Sequence, residues 1–96
     1  MSASLSTHVL DTGLGRPAAG VRLELLRDGR TVAESATDDD GRARLADGLE
    51  PGIYRLVFHP PSAFFRRVEL ELDLPDGHSH VPLLVSPYSC ASYRGS

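Results

Sequence analysis

The chain has 96 residues, of which 41% are hydrophobic and 24% charged, and a formal net charge of −3. This is the composition of one small soluble globular domain spanning residues 1–96, and a domain of this size buries only about two-thirds of its unfolded surface. All ten basic residues are arginines without a basic run, which excludes a nucleic-acid partner, and with no lysine there is no Schiff-base chemistry.

A single cysteine, Cys90, cannot close an internal disulfide, and nothing points to an oxidising compartment. No cationic leader precedes an apolar core and no apolar run approaches membrane-spanning length. The expectation is a cytoplasmic protein with no membrane partner.

Apolar and polar residues alternate over most of the chain, and Gly, Pro and Asp clusters interrupt them about every eight to ten residues, which predicts an all-β sandwich. Leu5 to Asp11 is the first strand, with Leu5, Thr7 and Val9 on one face and Ser6, His8 and Leu10 on the other. The glycines and proline of Gly13 to Gly20 predict a loop. Val21 to Leu25 is the second strand; Asp28-Gly29 is a hairpin turn, and Arg30 to Ala36 returns as the third.

Thr37-Asp38-Asp39-Asp40-Gly41 is the next turn. Its three acids lack a calcium ligand at the first loop position, where Ala36 stands, so it reads as a solvated turn. A short strand follows from Arg42 to Leu45. Ile53 to His59, rich in β-formers, reads as a central strand. A long strand is expected from Phe64 to Leu74, where Val68, Leu70, Leu72 and Leu74 alternate with charged residues. After the Pro75-Asp76-Gly77 turn, strands are expected from His78 to Val85 and from Tyr88 to Arg94. Eight short, mostly antiparallel strands would make two packed sheets.

Some polar residues in this frame invite chemistry. His8, outward on the first strand, has the titration range of a general base or substrate orienter. Arg42, just after a turn, offers a planar fork to the oxygens of a small heterocycle. His78 and His80 share a strand face, but no acid or cysteine at suitable spacing completes a metal set. Cys90 has no neighbour that would activate a thiolate and reads as structural. Ser96 is not in a nucleophile elbow, which leaves water as the nucleophile.

Taken together, four segments carry a resemblance: STHVLDT (6–12), TDDDGR (37–42), HSHVPLLVSP (78–87) and YRGS (93–96). In this order, over Ser6 to Ser96, they resemble the signatures of the 5-hydroxyisourate hydrolases, the enzymatic relatives of transthyretin. The terminal YRGS with HVPLL is the specific part; TDxDGR and PGxY recur in many transthyretin-like sandwiches.

The resemblance implies a transthyretin-like eight-stranded β-sandwich that assembles as a homotetramer, with sites where dimers meet. It implies hydrolysis of 5-hydroxyisourate to 2-oxo-4-hydroxy-4-carboxy-5-ureidoimidazoline in urate degradation, with no metal or organic cofactor. Carried over by motif, His8, Arg42, His80 and Ser96 are the catalytic positions, and Tyr93 and Arg94 shape the wall that binds substrate.

The chain also departs from the family. Between Phe58 and Val68 only HPPSAFFRR remains of a longer segment, so the short helix carried there is expected to be missing. Ser79 replaces a tyrosine, and Cys90-Ala91-Ser92 precede Tyr93. A non-enzymatic transthyretin-like binding module is the alternative; it gives no reason for His8, Arg42, His80 and YRGS to occur together. A purely structural sandwich would scatter them over the surface.

Overall fold

A computed structural model describes residues 1–95. The described residues form ten strands: β1 (Ala3–Asp11), β2 (Arg16–Pro17), β3 (Arg22–Arg27), β4 (Arg30–Ala36), β5 (Arg42–Leu49), β6 (Gly52–His59), β7 (Val68–Leu74), β8 (Gly77–His80), β9 (Leu83–Ser86) and β10 (Ser89–Ser92). They build the expected two sheets. One is four-stranded in the order β4-β3-β6-β7; the other is six-stranded and centred on β1, which pairs with β2, β5, β8 and β9, while β10 pairs with β9. Among the described residues there is no helix.

The count of ten differs from the expected eight at two places. Arg16 and Pro17 pair briefly with Asp11 and Leu10, so the segment expected to be all loop contributes a two-residue strand. The strand expected from His78 to Val85 is divided into β8 and β9. Pro82 has no amide to donate, and it interrupts the ladder without shifting it: Ser6 faces His80 before the gap and Val9 faces Leu83 after it, the same offset along β1. Across the gap, Val81 N donates to Ser6 O at 2.9 Å and Thr7 Oγ1 donates to Val81 O at 2.6 Å.

Most other boundaries move by one or two residues, the last strand shrinking to Ser89–Ser92, and two move by four. The strand expected to end at Leu45 runs on to Leu49, with a bulge where Leu5 pairs with Ala46 and Ser6 with Arg44. The strand expected to start at Phe64 starts at Val68, which is the partner of Phe58. Phe64 and Phe65 instead belong to a turn, where Ser62 Oγ accepts from both of their amides at 3.1 and 2.9 Å. A serine turn thus overrides the β-propensity of two aromatics.

Alternation along the strands produces the core. Leu5 and Val9 of β1, Leu23 and Leu25 of β3, Tyr54, Leu56 and Phe58 of β6, and Leu83 and Val85 of β9 all point between the sheets and are buried. β6 lies between β3 and β7, the central position its composition suggested.

The TDDDGR segment is a built turn. Asp38 Oδ1 accepts from the amides of Asp40 and Arg42 at 2.9 and 3.0 Å, and the Asp38 amide donates to Arg42 O at 2.8 Å. Thr37 is buried; its hydroxyl donates to Ala18 O at 2.6 Å and accepts from Val21 N at 2.9 Å. The acids therefore shape the entry to β5. Asp38→Ala, which frees two amides, is expected to lower the melting temperature by roughly 5 °C in thermal denaturation.

Candidate active site

β1 lies in the middle of its sheet, with β5 on one side and β8 on the other. Residues opposite one another in a sheet share a face, so the outward residues of three strands fall into rows. His8 stands opposite Arg42; Ser6 stands opposite Arg44 on one side and His80 on the other; Ser4 stands opposite His78. The outer face of this sheet therefore gathers His8, Arg42 and His80 from three separate parts of the chain. These three residues are not scattered, as a purely structural sandwich would leave them.

The imidazoles of His8 and His80 are held differently. His8 Nε2 donates to Asp40 O at 2.8 Å. A carbonyl oxygen can only accept, so the His8 proton is fixed on Nε2 and its lone pair lies on Nδ1. His80 is bonded through Nδ1, which lies 2.8 Å from Ser6 Oγ, and its Nε2 is the nitrogen left for chemistry. Partial burial holds the His80 pKa below the ordinary imidazole value, and repulsion from charge on His8, His78 and Arg42 acts the same way. The ring is neutral near neutral pH, the state a base requires.

The chain end packs on this ring. Gly95 N donates to His80 O at 2.7 Å, in an isolated antiparallel bridge. A Cβ at position 95 would stand 2.7 Å from His80 Cδ2. Only glycine lets the chain pass this close without moving the imidazole. Ser96 lies outside the described residues.

Tyr93 and Arg94 stand apart from the histidines. With Ser79, Val81, Leu70 and Leu72 they line a groove of about 460 Å³ at the open side of the sandwich. Ser79 is buried and alternates with His78 and His80, so it faces this groove and not the outer face. A second groove, of about 540 Å³, is lined by Leu14, Phe64 and Tyr88 among others. Neither groove contains His8, Arg42 or His80, which lie on an open sheet face.

Cys90 packs partly buried against the core, and burial raises its thiol pKa, in keeping with a structural residue. Among the described residues, no group of three or more His, Cys, Asp or Glu side chains is placed to hold a metal ion. Sequence reasoning missed Ser6, which bonds to both His78 and His80. The one available signal was its place two residues before His8, which puts it on the same face.

Residues 5–95 match the model of the HIUase/Transthyretin family. "5-Hydroxyisourate hydrolase 2" of Rhizobium meliloti (strain 1021) is 41% identical over 117 aligned positions that cover 99% of this chain and 98% of the relative. Those positions outnumber the 96 residues present, so the relative carries residues that this chain lacks. The structure of Klebsiella pneumoniae 5-hydroxyisourate hydrolase superposes with a TM-score of 0.88 at 34% identity, covering 98% of this chain and 99% of that one. Sea bream transthyretin in complex with thyroxine superposes with a TM-score of 0.82 at 27% identity, covering 95% and 93% of the two chains. Matched almost end to end in sequence and in fold, the chain belongs to the HIUase/Transthyretin family.

Proposed function

We propose that this protein is a hydrolase that opens the ring of 5-hydroxyisourate in urate degradation, with His80 as general base and Arg42 as oxyanion stabiliser. The observation that carries the reading is the meeting of His8, Arg42 and His80 on one sheet face, in a chain whose nearly full-length relatives include 5-hydroxyisourate hydrolases. Two imidazoles beside a guanidinium are what water attack on a ring carbonyl needs, and a ligand-binding module has no use for a base.

Water adds to a ring carbonyl carbon and gives a proton to His80 Nε2. The carbonyl oxygen becomes an oxyanion that Arg42 stabilises. The ring C–N bond then breaks, the proton passes to the departing nitrogen, and a carboxyl group remains on the carbon. His8, its ring fixed by Asp40, presents Nδ1 to orient water or substrate. Ser96, Tyr93 and Arg94 are proposed as further substrate contacts.

The open position of the three residues supports assembly as a homotetramer. A small polar heterocycle on a bare sheet face would stay in bulk water, whereas a facing subunit would close over it and strengthen each electrostatic contact. Sedimentation is expected to give the mass of four 10.4 kDa chains, and a stable monomer would contradict this assembly.

The test of the reaction is direct. When 5-hydroxyisourate is generated in the cuvette by oxidation of urate, catalytic amounts of the protein should speed the decay of its ultraviolet absorbance. A decay rate equal to that without protein rejects the hydrolase.

A further inference from the structure

The chemistry above leaves His78 unused, although both of its ring nitrogens are engaged. Ser4 Oγ lies 2.6 Å from His78 Nδ1 and Ser6 Oγ lies 2.8 Å from His78 Nε2. The same Ser6 Oγ lies 2.8 Å from His80 Nδ1. One hydroxyl on β1 therefore joins the two imidazoles of β8, because positions 4 and 6 stand opposite 78 and 80 in parallel register and all four side chains point outward. His78 is exposed, whereas His80 is half-buried.

A hydroxyl has one proton, so when it bridges two rings it donates to one and accepts from the other. With the lone pair of His80 on Nε2, Nδ1–H donates to Ser6 Oγ, and Ser6 O–H donates to His78 Nε2. His78 then carries its proton on Nδ1 and donates to Ser4 Oγ. Each of these three donors has an acceptor, and the nitrogen facing outward from His80 is the basic one.

We propose that Ser6 and His78 form a proton relay behind His80, in which Ser6 fixes the His80 tautomer and passes its proton to the exposed His78. This rests on His80 being the base of the proposed hydrolysis. When His80 Nε2 takes a proton from water, the Nδ1 proton moves to Ser6 Oγ and the former Ser6 proton moves to His78 Nε2. His80 ends neutral with its proton on Nε2, Ser6 remains a hydroxyl, and the positive charge has moved to His78. The reverse shift returns the proton for the departing nitrogen.

The surrounding charges favour this direction. His80 faces the Arg42 guanidinium on β5 and the His8 ring on β1. His78 instead faces Asp47 on β5, whose carboxyl is held below the usual range by its hydrogen bond from Arg44, with the charge of His78 acting the same way. Burial and the Arg42 guanidinium therefore disfavour a lasting positive charge on His80.

Nitrogen-15 NMR of the histidine rings should find neutral His80 with its proton on Nδ1. In Ser6→Ala the population should shift toward the Nε2–H form, with kcat falling roughly tenfold and KM little changed, and Ser6→Thr should restore both tautomer and kcat. His78→Gln, whose amide oxygen can still accept from Ser6, should keep the tautomer but lose kcat. Wild-type activity together with an unchanged tautomer and kcat in Ser6→Ala, or a loss that Ser6→Thr does not recover, overturns the relay alone. A wild type that does not hydrolyse 5-hydroxyisourate overturns the function and the relay with it.

Discussion

His80→Ala is expected to slow 5-hydroxyisourate hydrolysis by about a thousandfold, with Arg42→Ala close behind, since in the proposed mechanism one removes the base and the other the charge that meets the oxyanion. Both side chains lie on the outer face, away from the core, so melting temperatures should change little while kcat collapses. Undiminished rates in both variants would reject the site. The pH profile adds a test with a sign. As the proposed base, His80 acts unprotonated, and burial, then His8, His78 and Arg42, hold its pKa below the ordinary 6.5, so wild-type kcat/KM should persist at pH values below that at which a free imidazole is already protonated. Arg42→Gln removes one of the positive charges. The His80 pKa then rises toward its ordinary value, and the acid limb of the residual activity should move to higher pH; an unmoved limb would mean that another group sets it. The same depression means that the neutral ring favours the folded state, a contribution to stability present above the unfolded pKa and lost as pH falls through the folded one.

Gly41→Ala is expected to destabilise the fold by about 3 kcal/mol, or roughly 10–20 °C in melting temperature. Two causes add. Gly41 has φ of +76°, a left-handed conformation that costs a residue with a Cβ about 1 kcal/mol or more. The new Cβ would also land on the Val9 carbonyl oxygen, with Pro17 Cβ at 3.0 Å and Ala18 N at 3.2 Å. That carbonyl accepts from Ala18 N at 2.9 Å, while Val9 N donates to Gly41 O at 2.7 Å, so the clash falls where the turn is fastened to β1. Gly29 provides the comparison: its φ is +77° and a Cβ there meets nothing within 4 Å. Gly29→Ala should therefore show only the backbone cost. Equal melting temperatures for the two variants would refute the packing half of the argument.

The sequence made β4 legible to the residue, because Asp28-Gly29 announces its start and both residues do take positive φ, 52° and 77°. The outward placement of His8 was legible as well, since period-2 alternation needs only local information. The start of β7 was not, because Phe64 and Phe65 are β-formers and only the turn at Ser62 and the pairing of Phe58 with Val68 exclude them. Ser6 was passed over for a related reason. An outward serine reads as strand filler until β8 is laid beside β1, and that pairing is set by the whole fold. Among the described residues His78 lacks the partners of a metal ligand, and its connection to His80 runs through Ser6 and not along the strand. Tyr93 and Arg94 share a motif with Gly95, yet Gly95 packs on His80 while they line the groove beside Ser79. Adjacency in a motif does not set a common direction for side chains in an extended segment.

The parallel pairing of β1 with β8 and β9 also bears on how the molecule forms. Ser6 and His80 are 74 residues apart, so their strands meet only after nearly the whole chain is available. During synthesis β1 has β2 and β5 to pair with, and the edge that will receive β8 stays open until residues 77–86 emerge. Closing so long a loop is entropically expensive before its contacts are made, which places refolding toward the slow, millisecond-to-second end of the range for small domains. His8 and His80 come from the two sides of that last closure. Catalytic competence should therefore appear in one step with the completed sheet, and a chain halted before β8 would carry His8 and Arg42 without the proposed base.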